Sequence, residues 1–383
     1  MNKKFNRVIL AISFFCLIAN SWIFYAIISL KIWMCDFHGQ WALNAYALNG
    51  IDPYQVRGME TPLIEEIGTI RFDWSTMPWG LVLGNFFYPG FLTVADAAIY
   101  LLAANAFFLL ITARYLAKNF NIGLNSLIIF LVTITAFLAH FAIATLFGNA
   151  GAIICCLLII CCLKADESPI FAGVLLSFAM VKPQVALPIC LALLLRKNFK
   201  VLLTAAAIDF AAWLVACLMT NELPWTLLRE SLSSGAGGNG VFSGLFTLIF
   251  PENKSLAMLT SMIAGALFIW LTFRDEKNFW MCPAFLTTTF FAYSFWNEFF
   301  ILILPALMCL KFAVRAEIFL EKIFWLGTVI FMASAPYAMF LSLKKLLVDS
   351  PHVFWIDRTI FAVVIILLGF LMTKKLKYFE EST

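Results

Sequence analysis

Two charged residues of this chain stand in or beside apolar segments, where charge is costly to hold. Asp36 directly follows the first apolar run, and a carboxylate in that position is able to accept a proton from a hydroxyl group. Lys182 lies between two short apolar runs, where an ammonium group is expensive unless an anion accompanies it. From these residue types alone, a solvated interfacial acid is the simpler interpretation of Asp36. Lys182 is explained equally well by a side chain that reaches the membrane interface.

A polar stretch over residues 36–58 follows the first apolar run. Its spacing of aromatic and polar residues predicts an amphipathic helix that ends at Gly50-Ile51-Asp52-Pro53-Tyr54. The Asp52-Pro53-Tyr54 turn is interpreted as mainly architectural, because proline closes a turn and tyrosine favours the membrane interface. The sequence therefore places a titratable group and a helix together just outside the first apolar run.

The composition indicates a membrane protein with many helices. Hydrophobic residues make up 63% of the 383 residues and charged residues 13%, and the 41 phenylalanines are scattered over the whole length. So few charges do not cover the apolar surface of a soluble domain of this size. A basic stripe with interleaved aromatic residues is missing from the sequence, so no nucleic-acid partner is expected.

Hydropathy predicts an all-α bundle with about twelve membrane segments, several of them short. The first is interpreted as a retained span and not as a signal peptide, because its apolar run has 23 residues. The segments are 8–30, 94–113, 124–141, 150–163, 169–181, 183–195, 199–219, 256–273, 281–294, 299–313, 320–341 and 356–373. Loops on the side of the N-terminus hold 17 of the 26 Lys and Arg residues, which predicts that both termini are cytoplasmic.

This arrangement describes a single integral-membrane domain over residues 1–383. The longest outer segments are a first exoplasmic loop over 31–93 and a loop over 220–255, whose Ser- and Gly-rich composition predicts flexibility. The hairpins at 169–195 and 281–313 have an alternative interpretation as single kinked helices. In that interpretation, the numbers of Lys and Arg residues on the two sides of the membrane are almost equal. Segments of 13 or 14 residues rise only about 20 Å, so the turn at Lys182 is expected below the outer surface.

The stretch from Asp36 to Tyr54 resembles the first exoplasmic loop of integral-membrane GT-C glycosyltransferases of family 87. Characterised members of that family are mannosyltransferases that use polyprenyl-phosphate-mannose. Further matching motifs follow in the family's order within residues 30–310. They are Met77-Pro78-Trp79, Leu146-Phe147-Gly148-Asn149, Phe171-Ala172-Gly173, Val181-Lys182-Pro183-Gln184 and Ser294-Phe295-Trp296-Asn297-Glu298. Two positions differ from the family pattern, because Glu298 replaces its usual histidine and Asn149 its glutamine. A carboxylate at residue 298 would repel a phosphate, which predicts a different donor head group or geometry.

The resemblance implies an inverting sugar transfer from a polyprenyl-phosphate carrier to an exoplasmic lipid or glycan acceptor. The sugar is expected to be mannose or another hexose or pentose. Asp36 is the expected base, and Lys182, with Arg57 and Arg71, is expected to bind the donor phosphate. The expected sugar- and acceptor-binding residues are Gln40, Tyr54, Asn149, Gln184, Trp296, Asn297 and Glu298. The protein would work in a bacterial-type inner or plasma membrane, in contact with its lipids, with the active site on the exoplasmic side.

A metal or other cofactor is not expected, because the outer loops lack an Asp-x-Asp pair and the three histidines are scattered. Asp209, in the middle of segment 199–219, is interpreted as a polar contact between helices. Two other functions stay open at this point. Short helices and intramembrane charges also suit a transporter or a flippase for lipid-linked sugars, and a non-catalytic membrane scaffold is the third interpretation.

Overall fold

A computed structural model of the protein describes residues 35–55, 77–119, 145, 148–237, 250, 253–275, 279–288, 300–329, 332, 364 and 366–375. Every regular element in these ranges is helical, which agrees with the predicted all-α class. The predicted segments 8–30 and 124–141 lie outside the described residues, so the count of twelve membrane segments stays a prediction.

Most of the described residues lie in helices. In chain order they are α1 (Cys35–Leu48), α2 (Gly80–Leu83), the 3₁₀ helix η1 (Gly84–Phe86), α3 (Val94–Asn119), α4 (Gly151–Lys164), α5 (Pro169–Ala179), α6 (Pro183–Leu195), α7 (Phe199–Thr220), α8 (Pro224–Gly237), α9 (Lys254–Thr272), α10 (Cys282–Thr287) and α11 (Ile303–Arg315). Residues 319–329 and 366–375 are also helical. Helix α8 occupies the first half of the loop for which the composition predicts flexibility.

Two helices in the described ranges are long and apolar enough to cross a membrane, namely Val94–Leu116 of α3 and Phe199–Thr220. Both carry large apolar side chains on their outer faces, such as Phe107 and Leu110 on α3 and Leu203 and Leu218 on α7. In water such faces would be costly to expose, whereas lipid solvates them. Helix α7 ends where Asn221 adopts the left-handed conformation, with φ of 54°.

Helix α4 lies at the centre of the bundle. All its residues from Gly151 to Leu163 are buried, including the four cysteines of its sequence. A helix that is apolar on every face needs neighbours on every face, and α4 packs against α3 and α5. The central position explains why this segment has small cysteines and branched aliphatic residues but no charge before Lys164.

Helices α5 and α6 form a hairpin and not one kinked helix. Arg196, just after α6, lies 2.9 Å from the carboxylate of Asp166, just before α5, so the ends of the two helices away from the Lys182 turn meet. Proline at the first position of each helix presets the helical φ angle where the backbone N–H has no helical partner. The structure therefore agrees with the hairpin interpretation of residues 169–195.

The hairpin is much shorter than α7, which runs beside it. Ser177 of α5 donates a hydrogen bond of 2.7 Å to Asp209, in the middle of α7. This contact confirms Asp209 as a polar link between helices. Helix α5 ends at Ala179, whereas α7 continues to Thr220. At 1.5 Å per residue, the α5–α6 turn stops about 14 Å short of the end of α7.

The opposite end of the bundle is closed by a charged cluster around Arg196. In addition to Asp166, its guanidinium donates to Asp275 at 2.7 Å and stacks 4.9 Å from the Trp280 ring. The two ion pairs of Arg196 thereby join three connections of the chain, which follow α4, α6 and α9. The turn that bears Lys182 lies at the other end of the same short helices.

Helix α1 differs from the amphipathic helix that the sequence predicts. Its residues from Phe37 to Ala47 are buried, apart from half-buried His38 and Gln40. The reason is that α1 packs against α7, α3 and the segment containing α2 and η1, which cover most of its faces. It is therefore an internal helix of the bundle and not one that lies half in solvent.

Candidate functional site

Asn149 and Lys182 form the polar centre of the site. The Lys182 ammonium donates to the Asn149 side-chain oxygen at 2.5 Å, across 33 residues of sequence. The same oxygen accepts a 2.8 Å hydrogen bond from the Gly151 backbone N–H, in the first turn of α4. Because its oxygen binds two donors, the orientation of the Asn149 amide is fixed. These two residues, here called the Lys–Asn pair, bring together two motifs that are far apart in the sequence.

The backbone before Asn149 requires a glycine. Gly148 has φ of +68°, in the left-handed region that costs other residues about 1–2 kcal/mol. This conformation turns the chain so that Asn149 caps the start of α4 from the side of the α5–α6 turn. The Gly148-Asn149 motif therefore acts as a shaped turn as well as a source of one amide.

Lys182 directly precedes Pro183, the first residue of α6. Its backbone is non-helical, with φ of −117° and ψ of 79°, and its N–H donates to Ala179 at 3.0 Å. The turn is also held from outside, because Trp79 donates its indole N–H to the Met180 carbonyl at 2.9 Å. The Met77-Pro78-Trp79 motif thus fixes the position of the Lys182 turn along the axis of the bundle.

Helix α1 is attached to the same region through the segment that follows η1. Asn44 donates to the Tyr88 carbonyl at 2.9 Å, and Trp41 donates to the Leu92 carbonyl at 3.2 Å. The Tyr88 hydroxyl in turn accepts the Ala150 N–H at 2.6 Å, next to Asn149. A continuous set of contacts therefore connects α1 with the Lys–Asn pair.

The direction of α1 decides which of its ends is near that pair. At its start, the Phe37 ring lies 5.9 Å from the Tyr88 ring, at the level of the Lys–Asn pair. Beyond its end, Gln55 donates to Glu222 at 3.0 Å, just past the C-terminal end of α7. Helix α1 thus runs from the level of the pair toward the C-terminal end of α7. The backbone of Asp36, one residue before Phe37, belongs to the deep end of this helix.

The other residues that the sequence singles out fall into two groups. Gln40 lies half-buried one turn after Asp36, and Gln184 lies half-buried in the first turn of α6. The Asp36 side chain and the predicted residues Arg57, Arg71, Trp296, Asn297 and Glu298 lie outside the described part of the chain. Their roles stay predictions.

Tyr54 belongs to a separate carboxyl cluster near the C-terminal end of α7. Asp52 accepts the Tyr54 backbone N–H at 2.9 Å, and both side chains are buried. Burial first, and then the charges of Asp52 and Glu230, raise the pKa of Tyr54 well above its usual value. Burial, a hydrogen bond with Asp52 and the charges of Asp52 and Glu222 raise the pKa of Glu230 to about 7, against a smaller opposing effect of Arg229. In this Asp52–Glu230 carboxyl pair, Glu230 is therefore partly protonated at neutral pH.

Comparison with known proteins fits this arrangement. The model of the family described as glycosyltransferase family 87 matches residues 81–299, more than half of the chain. The chain belongs to glycosyltransferase family 87. No curated protein and no solved structure matches it.

Membership in family 87 makes the protein a glycosyltransferase, with a sugar donor and an acceptor as substrates. It favours an enzyme over the transporter and scaffold interpretations. Together with the two long apolar helices, it indicates a membrane protein. The matched range contains Tyr88, Asn149 and Lys182, whereas Asp36 and Asp52 precede it.

The Asp52–Glu230 pair gives this glycosyltransferase a predicted pH dependence of stability. The folded protein holds a proton on Glu230 up to about pH 7, whereas an unfolded chain loses it near pH 4.5. Folded molecules therefore bind more protons between these values, so stability falls as pH rises through this window and levels off above it. The shift corresponds to at most about 3 kcal/mol. Solvent screening of half-buried Glu230 reduces this to about 1 kcal/mol.

The test is thermal unfolding of the detergent-purified protein at pH 5, 6, 7 and 8. Glu230→Gln is expected to flatten the decline in Tm, because its amide is neutral throughout and is able to donate to Asp52. Glu317→Gln, at an exposed carboxyl, is the matched control and should keep the wild-type slope. An unchanged slope in Glu230→Gln would exclude the raised pKa of Glu230.

The described residues contain no group of three or more His, Cys, Asp or Glu side chains that is arranged to hold a metal ion. A metal-independent reaction stays a prediction from the sequence. Sequence reasoning missed Tyr88, which joins α1 to the Lys–Asn pair, and Glu230, which belongs to the separate carboxyl cluster. Glu230 lies in α8 beside Arg229, where a carboxyl is ordinary, so only its proximity to Asp52 distinguishes it.

Proposed function

We propose that this family 87 protein transfers a sugar, mannose or another hexose or pentose, from a polyprenyl-phosphate carrier to an exoplasmic lipid or glycan acceptor. The observation on which the proposal depends is the Lys–Asn pair, held about 14 Å short of the outer end of α7 and beside the deep end of α1. A cation at that depth suits a phosphate whose lipid chain lies in the membrane.

The proposed reaction is a single displacement at the anomeric carbon. The acceptor hydroxyl oxygen forms a bond to that carbon, while the bond from the carbon to the phosphate oxygen breaks. The hydroxyl proton passes to the Asp36 carboxylate, and the bonding electron pair leaves with polyprenyl phosphate. Attack from the side opposite the phosphate inverts the linkage and needs no covalent enzyme intermediate.

Lys182 has the charge that this leaving group requires. Negative charge grows on the phosphate as the bond breaks, so a nearby ammonium stabilises the transition state more than the bound donor. Asn149 keeps the ammonium in place without neutralising it, because an amide oxygen is uncharged.

Asp36 is the proposed base because of its position along α1. The start of this helix lies at the level of the Lys–Asn pair, which supports the proposal of a base at residue 36 close to the proposed phosphate site. Gln40 follows one turn later and is proposed to contact the sugar or the acceptor. Arg57 and Arg71 are proposed as further phosphate contacts, and Trp296, Asn297 and Glu298 as further contacts for the sugar or acceptor.

The direct test is transfer by the purified protein in lipid nanodiscs. The donors are polyprenyl phosphates carrying radiolabelled mannose, glucose, galactose or arabinose, and the acceptor is the glycolipid fraction of a strain that lacks the protein. One donor is expected to yield labelled, inverted product and free polyprenyl phosphate. Transfer from nucleotide sugars alone would contradict the proposed donor class. Movement of intact donor across the bilayer without transfer would instead support the flippase.

A further inference from the structure

Tyr88 makes three contacts through three different parts of the residue. Its carbonyl accepts the Asn44 amide at 2.9 Å, its ring lies 5.9 Å from that of Phe37, and its hydroxyl accepts the Ala150 N–H at 2.6 Å. The first two partners belong to α1 and the third directly follows Asn149. With 3% of its surface exposed, Tyr88 is buried between these two elements.

The hydroxyl contact has an energetic reason. The N–H groups at the start of a helix have no partner within the helix, and α4 begins at Gly151. Asn149 satisfies the Gly151 N–H, and Tyr88 satisfies the preceding one at Ala150. Ala150 is buried, so losing the hydroxyl would leave a buried donor without its partner, and the turn would have to shift to recover one.

We propose that Tyr88 is a positioning residue that sets the spacing between the deep end of α1 and the Lys–Asn pair. This inference rests on the proposed function, in which α1 provides the base and the pair binds the phosphate. A base and a leaving-group contact must be held at a fixed separation, since a misplacement of about 1 Å can cost about 10²-fold in rate. Tyr88 connects both elements directly, so it does not need to touch the substrate.

Tyr88→Phe removes the hydroxyl and keeps the ring and the carbonyl. The expected result in the nanodisc assay is a fall in kcat of about tenfold, with the donor KM changed less than twofold. The reason is that spacing matters in the transition state, whereas the Lys–Asn pair still binds the donor phosphate.

Tyr100→Phe is the matched control. Tyr100 lies in α3, and its hydroxyl donates to the carbonyl of Phe86 at 2.8 Å, two residues before Tyr88 in the chain. This hydrogen bond does not involve Asn149. This variant should keep wild-type kcat. If both variants lose activity only in proportion to their loss in Tm, Tyr88 has a structural role alone and the proposal fails.

A double-mutant cycle with Asn149→Ala measures the connection itself. If Tyr88 acts through Asn149, the effects of Tyr88→Phe and Asn149→Ala on kcat should be less than multiplicative. Independent, multiplicative effects would overturn the proposal. Should Tyr88→Phe fail to accumulate, Asn44→Ala tests the link to α1. It should also lower kcat at constant donor KM, and wild-type kcat in Asn44→Ala would overturn the proposal.

The same assay separates this inference from the proposed function. An inactive Asp36→Asn beside a fully active Tyr88→Phe would refute only the positioning role. A fully active Asp36→Asn would refute the proposed base, whatever Tyr88→Phe does.

Discussion

Replacement of Asp36 with asparagine is expected to lower kcat for sugar transfer by about 10²–10⁴-fold. The amide keeps the size and much of the hydrogen-bonding capacity of the carboxylate but does not accept the hydroxyl proton. Donor binding depends on other residues, so the donor KM should change little. Initial rates of product formation in nanodiscs, over a range of donor concentrations, separate the two constants.

Asp96→Asn is the matched control for this experiment. Asp96 is an exposed carboxylate in the first turn of α3, where it accepts the Thr93 hydroxyl at 2.7 Å, and it has no proposed part in transfer. It should keep kcat within about twofold. Asp36→Glu is expected to retain more activity than Asp36→Asn, because it keeps a base at a shifted position. If Asp36→Asn transfers sugar at the wild-type rate, the base must be sought elsewhere, and the Asp52–Glu230 pair is the next candidate.

The short helices of the bundle were predictable from sequence because their ends have local chemical signals. The predicted segment 183–195 coincides with α6 (Pro183–Leu195), and the predicted segment 169–181 begins with α5 at Pro169. Proline favours the first position of a helix and breaks the preceding one, so both boundaries are encoded within a few residues. The charge bias that favoured a hairpin also reflects a local feature, the basic connection at Arg196.

The burial of α1 was not predictable in the same way. Its helical content follows from its own residues, but its surroundings depend on segments far along the chain. The His38 and Gln40 positions suggest a polar face, whereas α7 and the segment after η1 cover most of the helix. Tertiary packing here overrides the amphipathic pattern, which reports only the order of polar and apolar residues.

The contacts that unite the site are also non-local. Tyr88 and Ala150 are separated by 62 residues, and Asn149 and Lys182 by 33. The motifs that contain Asn149 and Lys182 were visible in the sequence, and the family resemblance placed them in one site. The hydrogen bond from the Ala150 N–H to the Tyr88 hydroxyl could not be inferred, because no periodicity relates a loop tyrosine to the start of a helix.

Lys182→Met is expected to raise the donor KM and lower kcat, with a fall in kcat/KM of about 10–100-fold. A charge-assisted hydrogen bond contributes about 1.5–3 kcal/mol, which corresponds to that range. Methionine keeps an unbranched chain of similar length and is not costly in an apolar hairpin, so the fold should be preserved. Because the charge on the phosphate grows during bond cleavage, part of the loss must appear in kcat.

Two further variants make the result specific to the ammonium of residue 182. Lys182→Arg keeps a cation but replaces a compact group with a planar one, so it should retain intermediate activity. Lys200→Met, at an exposed lysine in the first turn of α7 and at the opposite end of the bundle, should transfer like wild type. Donors whose phosphate is methylated to an uncharged triester carry one negative charge fewer both before and after bond cleavage, so the advantage of wild type over Lys182→Met should be smaller for them. Equal loss of activity for charged and uncharged donors would show that Lys182 supports the hairpin and does not bind the phosphate.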